Sequence, residues 1–251
     1  MLIICLFIFF LAILITLSLL MTIKKSDNVV TGFSNTHIKI AKSYIINLPE
    51  RPERLERAKK VLISMPYLEK IDGVIIKSKK FNKRKRGAIG CALAHLNVLK
   101  LIKLEPETDN EGNRLWYCIF EDDINTSLPY DTLYNTQIDI LSKLPEDAKL
   151  INFGLNHNFL KLRSLLNMID GKKVNTKIGN GYTSFAHSYA IRPKMASECI
   201  SIINKWLEDY QNNIINHEFD HEWGIKLQKD DMVFCTHLFF QSDFGSDIRL
   251  F

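Results

Sequence analysis

Residues 116–123 read Trp-Tyr-Cys-Ile-Phe-Glu-Asp-Asp, an apolar and aromatic run that ends in three adjacent carboxylates. A short uninterrupted run of aromatic and β-branched residues predicts a buried β-strand. Its last residues, Glu121, Asp122 and Asp123, do not belong in a core, because unpaired charges are not left buried. In open α/β sheets, ligands bind just beyond the carboxyl ends of the strands. The stretch therefore predicts a strand that carries acids to a binding site, and a solvated acidic turn is the alternative.

Strand and helix patterns alternate along the rest of the chain. Residues 43–48 form an apolar run stopped by Pro49, and Pro52 suits the first turn of the helix that follows. Further strands are predicted at 149–154, 184–191 and 231–241, and another helix opens at Pro193. This alternation predicts an α/β sandwich with its ligand edge at the strand ends.

The first 23 residues contain no charged side chain and are long enough to cross a bilayer as a helix. A cleaved signal peptide is the alternative, but no basic region precedes the run and no typical cleavage site follows it. We therefore predict a single-pass transmembrane anchor at 1–23, a tether at 24–40 and one domain at 41–251. Lys24 and Lys25 favour a cytosolic domain, and a lumenal arrangement stays open.

Charge and cysteine content exclude some function classes. The net charge of +5 is concentrated in a basic run at 77–86, which is typical of a solvated loop or of contact with lipid headgroups or phosphates. Nucleic acid is not an expected partner, because the run has no series of aromatic residues on which bases could stack. The four cysteines after the anchor, Cys91, Cys118, Cys199 and Cys235, are scattered in apolar segments. They are predicted to be small buried side chains, neither a disulfide framework nor a zinc site with close-spaced pairs.

The turn after the first predicted strand carries Asn47, Arg51 and Arg54. In a βαβ unit this turn lies at the ligand edge of the sheet, where an arginine forks onto phosphate or carboxylate. Arg57, on the helix that follows, is predicted to be a surface residue.

A second helix is predicted to begin at the paired glycines Gly87 and Gly90. Glycine permits close backbone approach, and free N–H groups at a helix start bind anions. His95 lies further along this helix amid apolar neighbours. A histidine in such a place is more often a satisfied interior group than a ligand or base.

Four segments occur in an order that is informative as a set. They are residues 44–54 (Tyr-Ile-Ile-Asn-Leu-Pro-Glu-Arg-Pro-Glu-Arg), 87–95 (Gly-Ala-Ile-Gly-Cys-Ala-Leu-Ala-His), 120–123 (Phe-Glu-Asp-Asp), and Gln241 with 246–248 (Ser-Asp-Ile). Together they resemble glycosyltransferase family 25, the lipopolysaccharide and collagen galactosyltransferase-like group. Two positions depart from the family pattern, because Ala88 stands where the family has Glu and Ala94 where it has Ser.

The resemblance implies a GT-A type fold, a Rossmann-like nucleotide-sugar-binding sandwich, with a UDP-sugar donor and inversion at the anomeric carbon. A divalent cation, Mn²⁺ or Mg²⁺, would neutralise the diphosphate leaving group, and carboxylate oxygens suit either ion. Asp123 is the expected metal ligand, and His237, Asp243 or Asp247 is expected to supply the second. The residues expected to bind substrate are Asn47, Arg51, Arg54, Gly90, His95, Glu121, Asp122, Trp223, Gln241 and Asp247.

Inversion by direct displacement needs a base to accept the proton of the acceptor hydroxyl. Asp220 and Glu222 are the expected candidates, because partial burial raises the pKa of a carboxylate. Trp223 beside them is expected to stack on the acceptor sugar. The alternatives are that Asp220 caps a helix and that Trp223 belongs to the core. His187 and His217 are predicted to be structural.

The predicted function is that of a membrane-anchored transferase, which moves galactose or glucose from a UDP-sugar to a hydroxyl of a glycan, protein or lipid. A metal-dependent phosphotransferase or phosphohydrolase is a weaker alternative, because the sequence shows no second acidic cluster for a second metal. A membrane-tethered, catalytically inactive sugar- or nucleotide-binding module of the same fold is the other alternative, and the departures at Ala88 and Ala94 keep it open.

Overall fold

The computed structural model describes residues 37–154, 175–180, 186–227 and 230–241, and for residues 175–180 it describes the backbone alone. The predicted anchor, the tether up to residue 36, and the candidate ligands Asp243 and Asp247 lie outside these ranges. Within the described ranges, no helix combines the length and apolar character needed to span a bilayer.

Strands and helices alternate along the described chain, as the sequence predicts. In order they are β1 (Ile38–Asn47), α1 (Pro52–Val61), β2 (Leu68–Asp72), α2 (Lys83–Ile102), β3 (Arg114–Glu121), β4 (Ile124–Asn125), a 3₁₀ turn (Tyr130–Thr132), α3 (Leu133–Ser142), β5 (Leu150–Gly154), β6 (Asn175–Asn180), β7 (Ser188–Ile191), α4 (Pro193–Gln211), α5 (Phe219–Leu227) and β8 (Val233–Gln241).

These strands form one mixed sheet in the order β2-β1-β3-β7-β5-β8-β4, and β6 pairs with β8 from outside this path. Strand β1 is parallel to β2 and β3, and β8 is parallel to β5. Strand β7 is antiparallel to both β3 and β5, so β1, β3, β5 and β8 all run in the same direction. Their carboxyl ends therefore meet at one edge, where ligands bind in α/β sheets.

Strand β3 lies inside the sheet and is buried along its length up to Phe120. Its alternate side chains enter two core layers, one with α2, α4 and α5 and the other with α1 and α3. A strand covered by helices on both faces has no solvent side, which is why residues 115–120 are apolar without interruption. Only Glu121, at the carboxyl edge, leaves this core. The α/β prediction built on this stretch is confirmed.

The starts of β1 and α2 differ from the sequence prediction in ways that bear on the predicted tether and on Gly90. Strand β1 begins at Ile38, so residues 38–40, assigned to the tether, belong to the sheet. Helix α2 begins at Lys83 instead of at the glycines, because the Asn82 side chain caps it by accepting from the backbone N–H of Lys85 at 2.8 Å. The end of the basic run is therefore a first helical turn and not a loop.

Gly90 consequently lies in the interior of α2, where it is buried. A Cβ at this position would lie 2.2 Å from the carbonyl oxygen of Val74. Glycine is required here because the chain after β2 passes so close to the helix. The predicted anion-binding role of Gly90 is wrong, because only the first four N–H groups of a helix are free to bind a ligand.

Candidate functional site

Asp122 is held in place at the carboxyl edge by the turn after β1. The Asn47 side chain donates to Asp122 Oδ2 at 2.7 Å and to the Arg51 carbonyl oxygen at 2.9 Å. The Arg54 guanidinium lies 3.7 Å from the other Asp122 oxygen. Burial raises the pKa of Asp122, and the hydrogen bond from Asn47 and the charges of Arg54 and Arg51 offset part of the rise. The structure thus brings the predicted substrate residues of this turn together.

Asp123 is the most deeply buried acid of the cluster. Asp123 is only 7% exposed, and its Oδ1 has no hydrogen-bond partner among the described residues. Burial, followed by the negative charges of Glu121 and Asp122, raises the pKa of Asp123 well above its ordinary value. A buried carboxylate oxygen without a partner among the described residues is able to accept a hydrogen bond or to bind a cation. Asp123 therefore has the properties of a cation ligand.

Glu121 faces helix α2 and makes two contacts there. Its Oε1 lies 3.1 Å from His95 Nε2 and 3.6 Å from Cys91 Sγ. The other ring nitrogen of His95 is 3.0 Å from the hydroxyl of Tyr189. Burial alone would raise the pKa of Glu121, but the hydrogen bond with His95 and the nearby His187 ring outweigh it and lower the pKa. His95 is thus a satisfied interior group, as predicted, and it also contacts an acid of the site.

Asp220 approaches the same acids from α5. Burial, and then the negative charge of Glu121, raise the pKa of Asp220 to about 6, although its carboxylate also accepts the backbone N–H of His221 at 2.8 Å. Helix α5 is anchored by Trp223, which is wholly buried and packs edge-on against the rings of Tyr189 and Phe219. The expectation that Trp223 stacks on an acceptor sugar is wrong, because its ring is core.

Glu222 makes its contacts away from these acids. One carboxylate oxygen lies 2.8 Å from His217 Nε2 and the other lies 3.6 Å from Lys226 Nζ. Residues two apart on a helix point in different directions, so α5 turns Glu222 away when it turns Asp220 toward Glu121. Of the two predicted bases, the structure places only Asp220 beside the acidic strand end.

The C-terminal residues predicted for the site are only partly brought to it. Gln241 pairs in register with Ile124, the residue after Asp123, and so lies beside the acidic turn. His237 is buried in β8, opposite Asn175 of β6.

The described residues contain one set of three potential ligand side chains whose atoms all lie within 4.8 Å of one another, and it consists of Cys91, His95 and Glu121. Asp123 and His237 do not belong to it. Cys91 is a free cysteine of intermediate burial, whereas Cys118, Cys199 and Cys235 are buried as predicted. The spacing of Cys91 and His95, four residues apart on a helix, is a signal present in the sequence that the prediction did not use.

A cavity of about 150 Å³ opens beside Asp122, on the side of α1. Arg57, which is exposed as predicted, lines it together with Arg54 and Lys60. The strand-end acids therefore lie next to a basic wall, an arrangement that suits an anionic ligand.

A scan of the chain against protein-family models finds no match, and a search of curated proteins finds no relative. The resemblance to glycosyltransferase family 25 thus stays a prediction from the four sequence segments.

Proposed function

We propose that the chain is an inverting GT-A type glycosyltransferase that moves a hexose, galactose or glucose, from a UDP-sugar to a hydroxyl of a glycan, protein or lipid. The observation that carries this proposal is the buried Oδ1 of Asp123, which has no hydrogen-bond partner among the described residues and lies at the carboxyl edge of parallel strands. Residues 1–23, predicted to be an anchor, would hold the reaction at a membrane surface.

The donor half of the site is built from the ends of β1 and β3. Asp123 would hold Mn²⁺ or Mg²⁺, since both ions prefer carboxylate oxygens. When bound, the cation neutralises the diphosphate that leaves with the nucleotide. Asp122 is fixed by Asn47 and Arg54, so that it can orient the donor, and the arginines of α1 supply positive charge beside it.

The transfer half is built from α5. The acceptor oxygen attacks the anomeric carbon and forms the new glycosidic bond, the bond from that carbon to the UDP oxygen breaks, and its electron pair leaves with UDP. The proton of the acceptor hydroxyl passes to Asp220. A pKa of about 6 suits this role, because the carboxylate is ionised at neutral pH and is a stronger base than an ordinary aspartate. Glu222 is less suited, since His217 and Lys226 already engage its charge.

The test is donor binding to the full-length chain, purified in mild detergent and titrated by calorimetry with UDP, UDP-glucose and UDP-galactose, each with Mn²⁺ and then with EDTA. The Asp123→Asn variant should lose metal-dependent binding. Asp139→Asn is the matched control, because Asp139 is exposed on α3 and pairs only with Lys143. Unchanged affinity of Asp123→Asn in Mn²⁺ would refute the metal assignment.

Release of UDP from the bound donor distinguishes an enzyme from a binding module. Many transferases pass the sugar slowly to water when no acceptor is present, so the wild-type chain should hydrolyse the donor that it binds. Metal-dependent donor binding with no hydrolysis, and no transfer to any hydroxyl acceptor supplied, would favour the inactive sugar- or nucleotide-binding module.

A further inference from the structure

The residues Cys91, His95 and Glu121 form a cluster that the proposed transfer reaction does not use. Cys91 and His95 lie one turn apart on the same side of α2, and Glu121 reaches them from the end of β3. The three ligand atoms are a sulfur, an imidazole nitrogen and a carboxylate oxygen. This mixed set differs from the all-oxygen ligands that Mg²⁺ and Mn²⁺ prefer, and it suits zinc.

The distances within the cluster fit one bound ion. Usual bond lengths to zinc, placed at tetrahedral angles, separate a nitrogen from an oxygen ligand by about 3.4 Å and a sulfur from an oxygen ligand by about 3.6 Å. The observed separations from Glu121 Oε1 are 3.1 Å to His95 Nε2 and 3.6 Å to Cys91 Sγ. The third separation, between the ligand atoms of Cys91 and His95, is below 4.8 Å, so a closer approach of these two side chains would let all three atoms bind the same ion.

The orientation of His95 is fixed in the way that metal-binding histidines require. Its Nδ1 is 3.0 Å from the Tyr189 hydroxyl, which leaves Nε2 directed at Glu121. A ligating histidine usually gives its second nitrogen to such a partner, which sets the tautomer and the ring direction. The ring is wholly buried and packs against Tyr189, Phe219 and Trp223, so it is not free to turn away.

The remaining coordination position would be open. His95 is fully buried, but Cys91 is half-buried and the Glu121 side chain is 22% exposed. Sites with three protein ligands and an open fourth position are typical of catalytic zinc, whereas structural zinc is enclosed by four. Helix α5, which carries Asp220, packs against this cluster, because the His95 ring contacts Phe219 and Trp223 of that helix.

The geometry points to a second cation site, specific for Zn²⁺ or a similar thiophilic divalent ion, at Cys91, His95 and Glu121. It is separate from the site proposed at Asp123, and its open position takes a water or a substrate oxygen. The site does not depend on the chain being a glycosyltransferase. The alternative is a hydrogen-bonded trio that holds no ion.

The test uses Co²⁺ as a spectroscopic probe in the full-length chain, stripped with chelator and purified in mild detergent. Tetrahedral cobalt bound to a thiolate shows strong visible bands and a sulfur-to-metal charge-transfer band, and Zn²⁺ should displace it with one ion per chain. Cys91→Ser should lose the charge-transfer band and bind Zn²⁺ at least 100-fold more weakly, as judged against a chromophoric chelator. Cys118→Ala is the control, because Cys118 is buried in the opposite core layer.

Further variants keep the inference testable if Cys91→Ser folds poorly. Glu121→Gln preserves side-chain shape but removes the charge, and should also weaken Zn²⁺ binding. Asp123→Asn should leave the cobalt spectrum unchanged while it removes Mn²⁺-dependent donor binding, so failure of this site and failure of the proposed function give different results. A wild-type chain that binds no Zn²⁺, a cobalt spectrum without the thiolate band, or a spectrum lost in Asp123→Asn would overturn the inference.

Discussion

Replacing Asp220 by Asn should make the protein more stable at neutral pH while abolishing transfer. The ordinary pKa of this carboxyl is 3.8, and burial together with the charge of Glu121 raises it to about 6. The raised pKa means that the folded state favours the protonated form, so stability falls as the pH rises from the ordinary to the raised pKa. A change of about two pKa units corresponds to about 3 kcal/mol at a pH above both values. Asn keeps an oxygen that can accept the backbone N–H of His221 but carries no charge.

The difference in free energy of unfolding between the variant and the wild type should depend on pH. Integrating the proton linkage gives a destabilisation by ionised Asp220 of about 3 kcal/mol at about pH 7.5 and about 1 kcal/mol at about pH 4.5. The Asp220→Asn variant should therefore exceed the wild type in free energy of unfolding by those amounts. Urea denaturation followed by tryptophan fluorescence measures the difference. EDTA is present in both samples so that no cation changes the charge around Glu121.

The control is Glu222→Gln on the same helix. Glu222 pairs with His217 and Lys226 at the surface of α5, so its neutralisation should lower stability by at most about 1 kcal/mol at neutral pH. Asp220→Asn should lose transfer or donor hydrolysis by about 10²–10⁴-fold with donor affinity unchanged. If Asp220→Asn is instead less stable than the wild type at about pH 7.5, Asp220 is a structural cap, and its role as a destabilised catalytic base is refuted.

Three further outcomes follow from the fold and the site. Gly90→Ala should lower stability by about 1–3 kcal/mol in thermal unfolding, because its Cβ would meet the Val74 carbonyl at 2.2 Å and overpack the core; a gain of the kind expected for an exposed helix would contradict this. Trp223→Ala should destabilise by about 3–5 kcal/mol as a core truncation, whereas loss of activity at unchanged stability would restore its role as a sugar platform. Affinity for Mn²⁺ should fall as the pH is lowered from neutral, since the ion competes with a proton for Asp123, whose pKa is raised; a flat titration would argue against Asp123 as a ligand.

The sequence was most informative where one physical constraint decided the pattern. Strand β3 is covered on both faces, so residues 115–120 are all apolar, and the acids that follow them mark the carboxyl edge of the sheet. The same reasoning placed Asn47 at the end of β1, next to Asp122. Both predictions rest on local periodicity together with the rule that parallel strands share a ligand edge.

The predictions that failed needed knowledge of distant contacts. A glycine in a sequence is compatible with a turn, a helix start or a close approach of another segment, and only the path of residues 73–76 shows that Gly90 serves the last of these. Helix α2 starts before the glycines because Asn82 caps it. The cap is hard to see in the sequence, because the four basic residues after Asn82 are typical of a solvated loop. The core position of Trp223 likewise depends on Tyr189 of β7, which lies far away in sequence.

The choice between Asp220 and Glu222 depends on the secondary structure of residues 219–223, which the sequence analysis does not predict. Once α5 is known, residues two apart must diverge, and one of the two carboxylates must face away. Residues four apart on a helix lie on the same side, which places Cys91 and His95 together on one side of α2. Helical spacing thus carries information about which polar residues meet, even when tertiary contacts decide what they meet.

The distribution of charge along the sheet edge favours two cations over one. Asn47 and Arg54, on the α1 side, compensate Asp122, and neither Asp123 nor Asp220 forms an ion pair among the described residues. Among the described residues, Asp123 belongs to no set of three potential ligands that lie within 4.8 Å of one another, whereas Cys91, His95 and Glu121 form such a set. An ion bound to this set would therefore leave the Asp123 oxygen unsatisfied, and an ion bound at Asp123 would leave Asp220 without a counter-charge. Each proposed ion compensates a different part of the acidic edge. Removal of Zn²⁺ from the Cys91 cluster should therefore leave Asp220 without a nearby positive charge, while the cation at Asp123 stays bound.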